Sequence, residues 1–282
     1  MNARQNVLGP IGYGILWVLS AAVLLFLLTP SIVVAGMSFF SDEFFRPNLD
    51  QAGWRWYRQV FADDSWWHAL WNSLIVGSGS ALLATVLGTL SAIAVWRTPS
   101  KLAVAVMAAC VSPMIVPIII TAVGMLYFYS KLGLVNSLTG MVVAHAVLGI
   151  PFVSIAVLAR LVRFDRNLVK AAQSLGASAV RIYFRITLPI VLPGILTGAL
   201  FAFATSWDEV VAVIFLASPD QHTLPRKMWS GMRESVSPAL LAVSTLLTVV
   251  SCLAVLCSML TKQRQTTRLA ISASKANKPG AA

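Results

Sequence analysis

The chain has 282 residues, of which 58% are hydrophobic and only 11% charged, with a formal net charge of +11. Soluble domains carry roughly 25% charged residues, so this composition excludes an ordinary water-soluble fold and predicts an all-α, polytopic membrane protein. In such a chain the positive balance belongs with cytoplasmic loops and does not require nucleic acid. The three cysteines, Cys110, Cys252 and Cys257, fall in apolar runs without metal or disulfide spacing and read as small hydrophobes.

Taken in chain order, six helices come near the roughly 20 residues needed to cross hydrocarbon. Their expected limits are 11–38, 70–96, 102–130, 138–160, 190–217 and 238–261. Residues 1–10 form a short cytoplasmic N-terminus. No charge occurs between Arg4 and Asp42, and the apolar run Ile11 to Met37 is far longer than the roughly 7–15 residues of a signal-peptide core, so it reads as a retained first span. The loop Phe39 to His68 is acidic and aromatic. Its Trp54, Trp56, Trp66 and Trp67 suit an interfacial belt, with partner docking as the alternative.

The second span carries small residues four apart, Ser73, Gly77, Ala81, Thr85 and Thr89, which suits close helix packing. Pro113 and Pro117 predict a kink or local unwinding in the third. The fourth holds His145 ahead of Pro151, either a hydrogen-bonded packing residue or a proton relay. The fifth has a second small-residue stripe, Gly194, Gly198, Ala202 and Ser206, and is interrupted by Trp207, Asp208 and Glu209. At roughly 1.5 Å per residue the two acids lie about 30 Å from Pro189, at or near the outer mouth. They either attract a cationic solute or form an outer pair satisfied by water, Arg226 or Arg233. The tail 262–282 is polar, basic and expected to be disordered.

The basic residues orient the chain. With the N-terminus inside, the cytoplasmic segments hold Arg4, Arg97, Lys101, Arg160, Arg163, Arg166, Lys170, Arg181, Arg185, Lys262, Arg264, Arg268, Lys275 and Lys278, against one acid, Asp165. The remaining third of the Lys and Arg residues falls outside. This asymmetry predicts both termini in the cytoplasm.

The largest internal loop, about 162–189, contains KAAQSLGASAVRIYFRITLP, Lys170 to Pro189. Leu168, Ala172, Leu175, Ala179 and Ile182 recur at helical spacing, and Gly176 is expected inside that helix, where a glycine costs up to about 1 kcal/mol. Spacing alone leaves two readings open: a helix packed closely on a partner, or an amphipathic helix on the membrane surface.

The same residues resemble the cytoplasmic signature of type I permeases of binding-protein-dependent ABC importers. Ala171, Ala172, Gly176, Ile186, Leu188 and Pro189 match in register, while Lys170 stands where that signature has Glu. The run Ser206 to Phe215 and those from Ser218 and Val236 are similar to the spermidine/putrescine branch. The resemblance implies a permease domain over 11–261 with a coupling helix between the fourth and fifth spans. Lys170, Ala171, Ala172, Leu175, Gly176, Ala177 and Ser178 would contact a cytoplasmic ABC ATPase dimer, and Leu188 and Pro189 would end the loop. Trp207, Asp208 and Glu209 are the substrate-path candidates.

The resemblance further implies a second permease, a different chain with a second copy of this one as the alternative, an outer solute-binding protein and residence in a bacterial inner membrane. No G-x-x-x-x-G-K-[ST] phosphate loop occurs, so ATP and Mg are expected in the partner ATPase and no cofactor in this chain. Two rival classes are an intramembrane enzyme built on His145 with Ser78 or Ser80, and an ion-coupled carrier. Neither a catalytic pattern nor an inverted repeat supports them.

Overall fold

The computed structural model describes residues 10–40, 52–98, 100–234, 237–253 and 256. They are helical apart from turns, connecting segments and a single bridge between Phe40 and Ala52. The expectations for residues 1–9, the tail 262–282 and Cys257 lie outside the described residues. The chain divides into two compact units, 64–233 and the two flanking stretches.

In the flanking unit, α1 (Pro10–Met37) is apolar along its whole length, and its described side chains are largely exposed. α2 (Arg55–Ala62) is held to the chain just after α1. The Ser38 and Tyr57 hydroxyls lie 2.6 Å apart, and Trp56 Nε1 donates to the Phe40 carbonyl at 2.7 Å. Phe39, Trp54 and Tyr57 cluster with ring centroids 5.0–5.2 Å apart. Trp56 is buried and therefore serves this fastening, not an interfacial belt.

The central unit is built on α3 (Asp64–Arg97), α6 (Leu138–Val162) and α9 (Leu188–Asp208), which pack on one another. Ala81, Ala84 and Ala92 of α3 meet Ala146, Val153, Val157 and Leu161 of α6 and Val191 and Ala202 of α9. Small residues set the separation. A Cβ added at Gly198 would come within 2.7 Å of the Val153 Cα, and one at Gly88 within 2.7 Å of the Val153 Cβ. Both small-residue stripes are thus used largely within this chain. Two polar links tie the trio: Ser91 Oγ to Ser154 Oγ at 2.9 Å, and His145 Nδ1 to Ser206 Oγ at 2.8 Å.

The expected third span is not one straight helix. α4 (Lys101–Val111) runs into a tight turn at Ser112–Met114, and α5 (Ile118–Leu132) leaves at 108° to it, with Pro113 and Pro117 at the break. The expected fifth span also ends early. α9 stops at Asp208, and a separate short helix, α10 (Val211–Leu216), follows. Four described helices are long and apolar enough to cross a membrane, or five with the bent pair counted as one span. Beyond α10 lies α11 (Leu224–Glu234), and the sixth expected span is described only as α12 (Pro238–Leu253), a shorter apolar helix.

Candidate functional site

The loop between α6 and α9 folds as two short helices, α7 (Arg166–Ser174) and α8 (Ala179–Ile182). Asp165 starts α7 as its N-cap, accepting from the Asn167 N–H at 2.9 Å, which commits the loop's only acid to local structure. Arg166 anchors the helix. Its Nη2 donates to the Trp96 carbonyl at the end of α3 at 2.6 Å, and its guanidinium lies 5.0 Å from the Trp96 ring. Phe164 meets the same ring edge-on at 5.3 Å.

Gly176 does not lie inside a helix. It has φ +76° and ends α7: its N–H bonds the Gln173 carbonyl at 2.9 Å and the Ala177 N–H bonds the Ala172 carbonyl at 3.0 Å. This is a Schellman terminus, and left-handed backbone is the reason for glycine there. A Cβ at Gly176 would meet nothing within 4 Å, so no neighbour in this chain demands the small residue. Ser178 then caps α8, its Oγ accepting from the Arg181 N–H at 3.4 Å.

The break also dissolves the single apolar face expected from Leu168 to Ile182. Ile182 is buried, whereas Leu175 is 88% exposed at the tip and Val180 68% exposed. Lys170, Ala171 and Ser178 are exposed, and Ala172 and Ala177 half-buried. The side chains of Arg163, Arg166, Arg181 and Arg185, elsewhere in the same loop, are exposed as well.

Leu188 and Pro189 open α9, but the residues before them are already helical. α8 continues through a widened turn, Tyr183–Thr187, into α9, giving one helix of 30 residues, Ala179–Asp208. Pro189 cannot donate, and its ring crowds the Arg185 carbonyl within that turn. The turn is closed instead by the Leu188 N–H to the Tyr183 carbonyl, five residues back.

The far end of this helix carries the other candidates. Trp207 is half-buried and stacks on Phe203 at 5.7 Å, and Asp208 is exposed. Glu209 turns its Oε1 onto the Ala212 N–H at 2.9 Å and so caps α10. That short helix is buried against Val76 of α3, Tyr129 of α5 and Met141 and Ala144 of α6. The loop tip and the acids are therefore at opposite ends of one continuous helix, about 45 Å long at 1.5 Å per residue.

The enzyme-like pairing of His145 with Ser78 or Ser80 does not form. His145 is buried against Ser206, while Ser78 and Ser80 bond carbonyls of their own helix. Sequence reasoning missed the role of Asn72, whose side chain reaches the carbonyls of Asp220 and His222 at 3.3 and 3.1 Å. Its only sequence signal is an amide placed in an apolar run.

This arrangement of apolar spans with an exposed basic loop matches a known class. The chain belongs to the family described as binding-protein-dependent transport system inner membrane component, whose model matches residues 84–263. Among its relatives is the spermidine/putrescine transport system permease protein PotC of Haemophilus influenzae, 32% identical over 84% of this chain and 93% of that protein. PotC of Escherichia coli is 31% identical over 87% of this chain and 92% of its own length. The putrescine transport system permease protein PotI of Escherichia coli is 30% identical over 79% and 81%. A crystal structure of a bacterial ABC transporter involved in import of the acidic polysaccharide alginate shares the fold. Its TM-score is 0.70 at 15% identity, over 93% of this chain and 98% of that one. The chain is thus a membrane permease component of an ABC importer, a transport subunit without a catalytic site of its own.

Proposed function

We propose that this permease moves a small polyamine, spermidine or putrescine, into the cytoplasm, and that the tip at Leu175–Gly176 couples its motion to ATP hydrolysis in a partner chain. The substrate reading is supported by similarity to spermidine/putrescine permeases over more than four-fifths of the chain. Asp208 and Glu209 suit it, since carboxylates at the end of a span favour a cation over an anion. Glu209 is already engaged in capping α10, which leaves exposed Asp208 as the freer charge.

The single observation that carries the coupling reading is the continuous helix from Ala179 to Asp208. An ATPase that grips the exposed Leu175 side chain and the flanking Lys170, Ala171, Ala172, Ala177 and Ser178 would push on α8. A continuous helix passes that push to the acids at its far end. Arg166 and Trp96 would pass it to α3 as well. With exposed basic side chains in the loop, Lys170 among them, the matching ATPase surface is acidic or neutral.

In this reading the loop and both termini are cytoplasmic, and ATP and Mg bind the ATPase dimer. A solute-binding protein delivers the cation at the opposite face, and a different permease completes the pathway. The test is uptake by proteoliposomes containing the whole transporter, with labelled putrescine and spermidine competed by unlabelled amino acids and polyamines. Polyamine uptake that only polyamines compete supports the reading. Uptake of another solute with no polyamine uptake rejects the substrate and leaves the coupling role to its own test.

A further inference from the structure

The last turn of α3 and the two loop helices bound a crevice of about 60 Å³. That is room for several water-sized groups, enough for a phosphate. Its floor is apolar, with Ile93 of α3 and the buried Ile182 of α8. Its polar lining comes from Arg97 of α3, Gln173 of α7, and Tyr183 and Thr187 of the widened turn. All four side chains can donate a hydrogen bond. No Asp or Glu lines the crevice.

Charge and depth point to one occupant. The stretch of α3 from Ala69 to Trp96 carries no charge, and at 1.5 Å per residue it extends about 42 Å. A bilayer with its headgroups is about 40–45 Å thick, so Arg97 lies at headgroup depth. The neighbouring segments 97–101 and 160–187 are rich in Lys and Arg and hold a single acid, Asp165, which caps α7. A second guanidinium, that of Arg166, lies 5.0 Å from the ring of Trp96, which also lines the crevice. On the same short run of helix as Ile182, Val180 and Phe184 are largely exposed one turn apart, which suits contact with lipid. A basic crevice between helices at this level matches the headgroup of an anionic lipid.

We propose that this crevice binds the phosphate of an anionic phospholipid, with Arg97 as the charged contact and Gln173, Tyr183 and Thr187 as neutral donors. One wall belongs to α3 and the other to α7, α8 and the widened turn. The bound headgroup therefore bridges the loop to α3, beside the contact of Arg166 with Trp96. α7 has no buried residue of its own, so this bridge steadies the helix that the ATPase grips. The inference rests on the cytoplasmic placement of the loop in the proposed function and not on the substrate.

The complete transporter in detergent is titrated with phosphatidylglycerol, and the lipid retained is read by native mass spectrometry. This readout needs neither solute nor hydrolysis, so it stands even if the polyamine or coupling reading fails. Wild type is expected to retain phosphatidylglycerol in preference to phosphatidylcholine. Arg97→Gln is expected to weaken that retention about fivefold, the worth of one basic residue at an anionic surface, and Arg97→Lys to restore most of it. Lys101→Gln, at the same end of the molecule but outside the crevice, is expected to behave as wild type. Should Arg97→Gln fail to assemble, Gln173→Leu keeps the side-chain size on the opposite wall and is expected to weaken retention about threefold. In nanodiscs, hydrolysis stimulated by binding protein is expected to rise with phosphatidylglycerol content in wild type and not in Arg97→Gln. Unchanged retention in Arg97→Gln, an equal loss in Lys101→Gln, or displacement of the lipid by inorganic phosphate alone overturns the lipid site. A defect of Arg97→Gln that is the same with and without phosphatidylglycerol also overturns it and assigns Arg97 to the ATPase surface. Wild-type hydrolysis that ignores phosphatidylglycerol overturns the bridge.

Discussion

Single residues carry two different kinds of information in this chain. Gly176 is required by its left-handed φ, so the size of a replacement matters less than its backbone preference. Gly176→Asn is expected to keep the terminus of α7. Gly176→Val is expected to cost at least about 1–2 kcal/mol locally and to redirect the loop tip, since a β-branched residue resists that conformation. Gly198 is required by contact, and its partner is backbone. Gly198→Ala is expected to lower the thermal unfolding midpoint of the detergent-solubilised protein, through a clash costing about 1–3 kcal/mol. Gly124→Ala, with nothing within 4 Å of the added Cβ, is expected to leave that midpoint unchanged or raise it, since Ala is favoured in a helix by up to about 1 kcal/mol. Glycine spacing in the sequence does not separate these cases. Gly194 and Gly198 lie on a four-residue stripe and do pack, but Gly176 sits in an equally helical-looking run and ends it.

At the scale of elements, the long spans were legible because about 20 apolar residues leave few alternatives in a membrane. The breaks were legible only in part. Pro113 and Pro117 announced a disturbance in the third span, yet the 108° turn between α4 and α5 depends on how each piece packs. The fifth span looked as if it ran to residue 217, since Val210 to Phe215 is as apolar as what precedes it. Glu209 instead ends one helix and caps the next. Glu209→Ala is expected to destabilise α10 by about 1 kcal/mol, the usual loss for a helix cap, measurable as faster amide exchange at 211–216. The fastening contact of Asn72 was illegible because its partners, Asp220 and His222, lie about 150 positions away and are backbone carbonyls. Such a bond leaves no pattern in either stretch of sequence.

For the molecule as a whole, the proposed coupling sets one continuous helix between ATP hydrolysis at one face and solute at the other. The helix from Ala179 to Asp208 links the exposed Leu175 tip to the acids, and α3 and α6 grip it through glycine contacts and the His145–Ser206 bond. Removing the charge of Asp208 is expected to reduce polyamine uptake without changing assembly, and Asp208→Asn should raise the half-saturating concentration of loaded binding protein or solute severalfold. Family membership was legible from six residues in register, from Ala171 to Pro189. The continuity of the helix was not, because the resemblance placed the loop's end at Leu188 and Pro189, where α9 opens but a helix already leads in from Ala179. The most direct test of this coupling compares wild type, Gly176→Asn and Gly176→Val in the reconstituted transporter. The quantity measured is ATP hydrolysis stimulated by polyamine-loaded binding protein. Gly176→Asn should retain stimulation within about twofold and Gly176→Val should lose it, because only the first keeps the left-handed turn that presents Leu175. Full stimulation of an assembled Gly176→Val transporter would contradict the account.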